Sequence, residues 1–209
     1  MWFVALVGAL VPAVLPGEAI AAKADAKPGT ILVYGDSLSA SYGISQDQGW
    51  VSLLDARLKR EKRNYSVANA SISGETTSGG LSRMKQVLEK HRPAVTVIEL
   101  GANDGLRGLP VATMRKNLDE MIRLARAAGS AVLLVGVRMP PNYGPDYNRA
   151  FEAAFTELAK AHKAGLVPFF FEGFAEKREF YQPDNLHPTA AAQPMLLENV
   201  WKALKPMLK

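Results

Sequence analysis

The sequence predicts an α/β fold in three layers, with helices on both faces of a doubly wound, mainly parallel sheet of five strands. Short apolar runs, rich in β-branched and aromatic residues, alternate along the chain with longer segments of helical period. The runs are apolar on both faces, as in parallel strands that helices cover from both sides. The length of 209 residues suits one domain behind an N-terminal leader.

Each apolar run is assigned to one strand and each periodic segment to one helix. Gly129 and Gly165 follow two of these segments, where left-handed C-terminal caps are expected. The predicted strands are 30–34, 65–69, 95–100, 131–137 and 166–170. The predicted helices are 50–63, 78–91, 111–128, 147–163 and 190–208.

Residues 1–21 are predicted to be a secretory signal peptide. An apolar run at 2–15, too short to span a bilayer comfortably, leads to the small-x-small pattern Ala19-Ile20-Ala21. No Lys or Arg precedes the run, so an uncleaved interfacial anchor stays open as the alternative. Residues 22–29 are read as a linker and 30–209 as a single domain, located in the periplasm or secreted.

Composition limits the chemistry and the partners. There is no cysteine, which excludes disulfides, thiolate catalysis and cysteine-bound metal. The net charge of +5 favours encounter with anionic material such as phospholipid headgroups, so contact with lipid surfaces is one expectation. The densest basic stretch, 57–63, ends a helix without interleaved aromatic residues, so no nucleic-acid partner is expected. A monomer is expected.

Three polar loops follow the first three predicted strands. Gly35-Asp36-Ser37 follows the first strand, Ser73-Gly74 follows the second, and Gly101-Ala102-Asn103-Asp104 follows the third. In doubly wound sheets the ligand crevice lies outside the carboxyl ends of the strands. The three loops are therefore expected to open on the same edge of the sheet.

A serine nucleophile needs a base, and the base needs a partner that orients it. His187 lies in a proline-flanked loop, three residues after Asp184, whereas His91 and His162 fall in predicted helices and are assigned to the surface. Ser37, His187 and Asp184 are therefore the predicted nucleophile, base and acid. The alternatives are a helix-capping role for Ser37 and a place leading into the last helix for His187.

Acyl transfer also needs hydrogen-bond donors where negative charge develops on the substrate carbonyl. Gly74 lets a backbone N–H approach a substrate closely, and Asn103 offers a neutral amide donor. Asp36 adjoins Ser37 in an extended segment, so its side chain should point away from the hydroxyl. We interpret Asp36 as a hydrogen-bond acceptor that braces the loop.

These residues resemble the four sequence blocks of the SGNH (GDSL) hydrolase superfamily. The blocks correspond to Gly35-Asp36-Ser37-Leu38-Ser39, to Gly74 within 71–77, to Asn103 within 101–104, and to Asp184–His187–Pro188. Longer matches at 99–108 and 141–148 are similar to the thioesterase I type, which is active on acyl thioesters, aryl esters and lysophospholipids. The resemblance spans about 30–208 and implies a flavodoxin-like sheet.

Carried over position by position, the resemblance implies an acyl-enzyme on Ser37 and an oxyanion hole formed by Ser37 N–H, Gly74 N–H and the Asn103 amide. It implies no cofactor, and no metal is expected because the three histidines lack metal-ligand spacing. Ser41 departs from the glycine that relatives often have, which leaves the acyl-chain preference open. The implied substrate-binding residues are Leu106, Leu109, Met139, Pro141 and Tyr143.

Two other functions remain as alternatives. A carbohydrate O-deacetylase on the same scaffold would need only a shallow pocket, whereas the apolar loop residues favour a groove for a longer acyl chain. A non-catalytic binding module would need a phosphate-cradling glycine loop, for which Gly35-Asp36-Ser37 is poorly suited. The Gly-x-Ser-x-Gly elbow is absent because Ser39 takes the final position.

Overall fold

The computed structural model describes Met1 and residues 29–208, so the predicted signal peptide beyond Met1 and the linker up to residue 28 lie outside the described residues. Five strands form one sheet in which each neighbouring pair is parallel, in the order β2-β1-β3-β4-β5. The chain therefore builds the sheet outward from β1 in both directions, and the predicted doubly wound fold is confirmed. The strands are β1 (Gly29–Gly35), β2 (Tyr65–Asn69), β3 (Val95–Glu99), β4 (Ala131–Val135) and β5 (Gly165–Val167).

Five of the α-helices in the described part of the chain cover the two faces of the sheet. α1 packs with α6 on one face, while α2, α4 and α5 pack side by side on the other. The predicted three-layer arrangement is thus confirmed, with one short helix, α3, added at the end of β3. The helices are α1 (Trp50–Arg60), α2 (Thr77–His91), α3 (Ala102–Leu106), α4 (Val111–Ala127), α5 (Pro145–His162) and α6 (Gln193–Leu204).

The core lies on both sides of the two central strands. Every residue of β3 is buried, and so is β1 from Ile31 to Gly35. On one face the fully buried Trp50 of α1 packs edge-on against Phe170, with ring centroids 5.8 Å apart. Burial of this kind contributes about 25 cal/mol per Å² of apolar surface to stability. The parallel pairing of β1 with β3 sets their register and places Gly35 opposite Glu99 at the carboxyl edge.

The structure corrects some of the predicted ends of strands and helices and confirms one predicted helix cap. Gly29, assigned to the linker, begins β1 because its N–H donates to the Asn64 carbonyl and it pairs with Tyr65. Gly129 does cap α4 with φ +80°, and Ser130 N–H returns to the Ala125 carbonyl. Gly165 is instead the first residue of β5, and Lys163 takes the left-handed conformation that ends α5.

Other elements differ in length from the prediction. α1 stops at Arg60 rather than at residue 63, because Lys62 adopts a left-handed conformation. β5 stops before Pro168, which has no N–H for a sheet ladder. The segment 190–208 is one α-helix flanked by two short 3₁₀ turns. No helix in the described part of the chain is long and apolar enough to cross a membrane.

Candidate active site

The loop after β1 forms a tight helical turn that presents Ser37. The N–H groups of Ser39 and Ala40 return to the Asp36 carbonyl, and Leu38 N–H donates to Asp36 Oδ1 at 3.0 Å. Asp36 therefore caps this turn, and the alternative of a capping role for Ser37 is wrong. The Ser37 hydroxyl is left to point away from the turn.

Ser37, His187 and Asp184 lie in one hydrogen-bonded chain. The Oγ atom of Ser37 is 2.9 Å from His187 Nε2, and His187 Nδ1 is 2.7 Å from Asp184 Oδ2. The two contacts use opposite nitrogens of the imidazole, as a base that is oriented by a carboxylate requires. His187 also precedes the 3₁₀ turn at Ala190–Ala192 and α6, so it leads into the last helix as the alternative held, but both of its ring nitrogens are engaged by Ser37 and Asp184.

The loop that holds His187 is organised by the Asp184 carboxylate. Its Oδ1 accepts hydrogen bonds from the backbone N–H groups of Leu186, at 2.9 Å, and His187, at 3.0 Å. Partial burial opposes ionisation, but these donors and the imidazole outweigh it and lower the pKa of Asp184 to about 2. The carboxylate is therefore ionised at neutral pH and can stabilise an imidazolium.

Asn103 lies at the start of α3 and is held by Asp36. Its Nδ2 donates to Asp36 Oδ2 at 3.0 Å. Because a side-chain amide carries two N–H groups, this bond fixes the orientation of Asn103 and leaves the second N–H for another acceptor. The predicted bracing role of Asp36 is consistent with this contact, which joins the loop after β1 to the loop after β3.

A second carboxyl lies beneath Asp36 and was missed in the sequence. Glu99 ends β3, is 1% exposed, and its Oε2 accepts from Ser39 Oγ at 2.7 Å. Burial, reinforced by the neighbouring Asp36, raises the pKa of Glu99 well above its ordinary value. Burial also raises the pKa of Asp36 to about 6, although Leu38 N–H and the Asn103 amide oppose the rise.

A further buried contact fixes α3 against the start of α2. Asp104 is 3% exposed and accepts from Thr77 N–H at 2.8 Å and from Thr77 Oγ1 at 2.5 Å. Nearby, Arg107 donates from Nη2 to the Gly74 carbonyl at 3.1 Å. Gly74 itself has φ +78°, a conformation that favours glycine. These contacts hold the loop after β2 beside α3.

One cavity of about 570 Å³ adjoins Ser37 and His187. Asp36 and Asn103 are among the polar residues that line this cavity, and most of the remaining lining is apolar. The predicted substrate-binding residues Leu106, Met139 and Pro141 lie along this wall. The other lining residues are Leu38, Ala102, Val137, Arg138, Pro140, Phe169, Phe171, Ala175, Glu176, Tyr181, Asn185 and Leu186.

Two predicted substrate-binding residues lie elsewhere. Tyr143 supports the wall from behind, because its hydroxyl donates to the Leu106 carbonyl at 2.8 Å. Leu109 has a 38% exposed side chain, and its carbonyl accepts from Tyr147. Neither residue is among those that line the cavity, so their part in substrate binding stays a prediction. Gly74 does not line it either, so its place in an oxyanion hole stays a prediction.

The segment 169–181 forms a wall that the sequence analysis did not assign. Phe169 and Phe171 come from its start, and Ala175, Glu176 and Tyr181 follow. The signal available in the sequence was the aromatic run at 169–171, of which 169–170 was assigned to the end of the last strand.

Among the other histidines, His162 has a side chain that is only 16% exposed and an Nε2 atom 2.6 Å from Asp119 Oδ1, so it is less of a surface residue than expected. Within residues 29–208, no group of three metal-ligating side chains is present.

The fold and the hydrogen-bonded serine, histidine and aspartate define the class of protein, an α/β enzyme of the serine hydrolase type. The chain belongs to the GDSL-like lipase/acylhydrolase family, whose model matches residues 33–193.

Three similar proteins illustrate this membership. Esterase TesA of Pseudomonas aeruginosa is 52% identical over 179 residues, covering 86% of this chain and 89% of that protein. Thioesterase 1/protease 1/lysophospholipase L1 of Escherichia coli K12 is 40% identical over 179 residues, with coverage of 86% and 85%. The crystal structure of the psychrotrophic esterase EstA from Pseudoalteromonas sp., inhibited by monoethylphosphonate, superposes with a TM-score of 0.82 at 42% identity, covering 86% and 98%.

These comparisons confirm the family that the sequence motifs indicated. They also confirm the class of enzyme, a hydrolase of carboxylic esters or thioesters, and the serine esterase or thioesterase function that was predicted.

Proposed function

We propose that this enzyme cleaves acyl esters and acyl thioesters, including lysophospholipids, through an acyl-enzyme on Ser37. The observation that supports this most directly is the continuous contact from Ser37 Oγ through the His187 imidazole to Asp184. A serine hydroxyl placed 2.9 Å from an oriented imidazole can lose its proton as it attacks a carbonyl.

In the proposed reaction, Ser37 Oγ attacks the acyl carbon while His187 Nε2 takes the hydroxyl proton. Collapse of the tetrahedral intermediate breaks the bond to the leaving alcohol or thiol, which receives that proton. Water then attacks the acyl carbon of the acyl-enzyme while His187 Nε2 takes its proton. Collapse of the second tetrahedral intermediate breaks the bond to Ser37 Oγ, which recovers that proton from His187, and the carboxylic acid is released. Asp184 stays ionised and stabilises the imidazolium in both halves.

The oxyanion would be bound by the Ser37 N–H, the free N–H of Asn103 and the Gly74 N–H. Two features favour this assignment. Ser37 N–H lies at the start of a helical turn, where backbone donors have no partner within the turn. The Asn103 amide is oriented by Asp36 and needs no rearrangement when charge develops.

The cavity supports a medium or long acyl chain as the substrate. A volume of about 570 Å³ with Leu106, Met139, Phe169 and Phe171 along the wall exceeds what an acetyl group requires. This favours an acyl hydrolase over a carbohydrate O-deacetylase. A p-nitrophenyl ester series from acetate to laurate distinguishes them: we expect kcat/KM to rise beyond butyrate, whereas a maximum at acetate would favour the deacetylase.

The proposed partner beyond the small substrate is a lipid surface. Apart from Met1, the large hydrophobic side chains that are exposed in the described chain are Tyr42, Ile72, Leu109 and Leu186. All four lie on loops at the carboxyl edge of the sheet or beside His187. Lysophosphatidylcholine hydrolysis should therefore rise more steeply above the critical micelle concentration for the wild type than for Ile72→Ser/Leu109→Ser, with p-nitrophenyl butyrate rates unchanged. An equal rise in hydrolysis above the critical micelle concentration in both enzymes would show that these side chains do not contact the lipid surface.

Substitution of the nucleophile tests the mechanism itself. Ser37→Ala should lower kcat for p-nitrophenyl butyrate by about 10⁴-fold or more and leave the thermal unfolding curve near that of the wild type. Unchanged turnover would refute the assignment.

For the location, we propose export with removal of residues 1–21 and a monomeric mature enzyme. N-terminal sequencing of the exported protein would test the first proposal, and sedimentation would test the second.

A further inference from the structure

The contact between Ser37 and His187 joins two loops that are 150 residues apart in the chain. Asp184 and His187 share one loop, so their geometry is set locally. The distance from Ser37 to His187 depends instead on how the loop after β1 is held against the loop before α6. A general base must lie within about 2.6–3.2 Å of the hydroxyl, so a small displacement of either loop would disable the pair.

One side chain ties these two loops together. Gln182 Nε2 donates to the Tyr42 carbonyl, on the Ser37 side, at 2.8 Å, and to the Pro188 carbonyl, on the His187 side, at 3.1 Å. Both N–H groups of the amide are thereby used, one toward each loop. The backbone of Gln182 is itself fixed, since its N–H donates to the His187 carbonyl at 2.8 Å.

The loop on the Ser37 side has a backbone that admits this amide. Gly43 has φ +73°, and a Cβ built there would lie 2.0 Å from Gln182 Oε1. Any other residue at this position would displace the Gln182 side chain. The preceding Tyr42, whose carbonyl receives the bond, places its ring 4.4 Å from the His187 ring, measured between centroids. Because Tyr42 is 51% exposed, few side-chain contacts hold its ring, and the hydrogen bond from Gln182 to its carbonyl anchors its backbone beside His187.

We infer that Gln182 is a positioning residue that sets the distance between Ser37 and His187 by joining their loops through a single amide. The inference rests on the function proposed above. Gln182 is not among the residues that line the cavity, and its hydrogen bonds go to backbone carbonyls of the two loops, so it acts through these loops rather than on the substrate.

Gln182→Met tests the role, because methionine has a similar length and shape but no N–H donor. Gln182→Glu is a second variant of the same residue. Its carboxylate would place a negative charge against the carbonyl oxygens of Tyr42 and Pro188 and would repel both loops. We expect kcat for p-nitrophenyl butyrate to fall about 10-fold in Gln182→Met and at least as far in Gln182→Glu, with KM changed less than twofold. The rate of Ser37 labelling by a fluorophosphonate should fall in parallel.

A control comes from Thr96, near the amino end of β3, whose Oγ1 lies 2.8 Å from Ser130 Oγ in a buried contact remote from the carboxyl edge of the sheet. Thr96→Val should lower the melting temperature without changing kcat or the labelling rate. The final extent of labelling reports the folded fraction and corrects each rate for misfolding. Wild-type rates in both Gln182 variants, or an equal loss in Thr96→Val, would overturn the inference. Failure of the wild type to be labelled would instead overturn the proposed function.

Discussion

The amide of Asn103 gives the sharpest quantitative test of the site. One of its N–H groups is held by Asp36 Oδ2 at 3.0 Å, which leaves one N–H for the oxyanion. Asn103→Ala removes that donor. A preorganised oxyanion donor contributes about 2.7–4 kcal/mol to the transition state, so kcat should fall about 10²–10³-fold while KM changes little.

The same substitution has a separate cost in stability. Asp36 is fully buried, and loss of the Asn103 bond leaves its Oδ2 without that donor. The free energy of unfolding should fall by about 1–3 kcal/mol, which a domain of ordinary stability tolerates at 25 °C. The two effects are separable because the first appears in kcat and the second in a urea unfolding curve.

The assay is steady-state hydrolysis of p-nitrophenyl butyrate, with urea unfolding measured on the same preparations. Asn103→Asp provides a second arm, because a carboxylate has the same size but no donor when ionised, and it should lose at least as much kcat. Thr96→Val is the control for loss of a buried side-chain hydrogen bond elsewhere, the contact with Ser130, and should keep wild-type kcat. A wild-type kcat in folded Asn103→Ala would remove Asn103 from the oxyanion hole.

Three further predictions concern the carboxyl groups. Asp36→Asn cannot accept from both Leu38 N–H and the Asn103 amide, so kcat should fall about 10- to 100-fold; a wild-type value would contradict its role in orienting Asn103. Asp184 has a folded pKa of about 2, below its ordinary 3.8, so its ionised form stabilises the fold. Urea unfolding of wild type and Asp184→Asn should differ by a constant free energy above that ordinary value, and the difference should shrink as pH falls toward 2; a difference that grows with acidity would refute this. Burial raises the pKa of Glu99, so its protonated form stabilises the fold and this contribution is lost as pH rises from the ordinary value of 4.5 through the raised pKa. Over that range the free energy of unfolding should fall more in the wild type than in Glu99→Gln, and equal losses would contradict the raised pKa.

The sequence was sufficient to predict the layer order and the edge of the sheet on which the site lies. Alternating apolar and helical periods determine the first, and the carboxyl-edge rule determines the second. Ser37, Asn103 and His187 could be assigned because each stands in a short polar motif with few competing roles. Only the structure shows that their loops meet, since the Ser37–His187 contact joins positions 150 residues apart.

Other features have no local signature. α3 has five residues, fewer than two turns, so a helical period cannot be recognised in it. The role of Glu99 depends on its burial beneath Asp36, which a strand pattern does not reveal. Tyr143 and Leu109 were grouped with the cavity by sequence position, yet their orientation is decided by hydrogen bonds from the Tyr143 and Tyr147 hydroxyls.

The most direct test of the account is to trap the covalent intermediate. The enzyme is mixed with excess p-nitrophenyl butyrate, quenched in acid within milliseconds, and examined by intact and peptide mass spectrometry. We expect one butyryl group per chain on the peptide that contains Ser37, and none in Ser37→Ala. An acyl group on another residue, or turnover by Ser37→Ala at the wild-type rate, would contradict it.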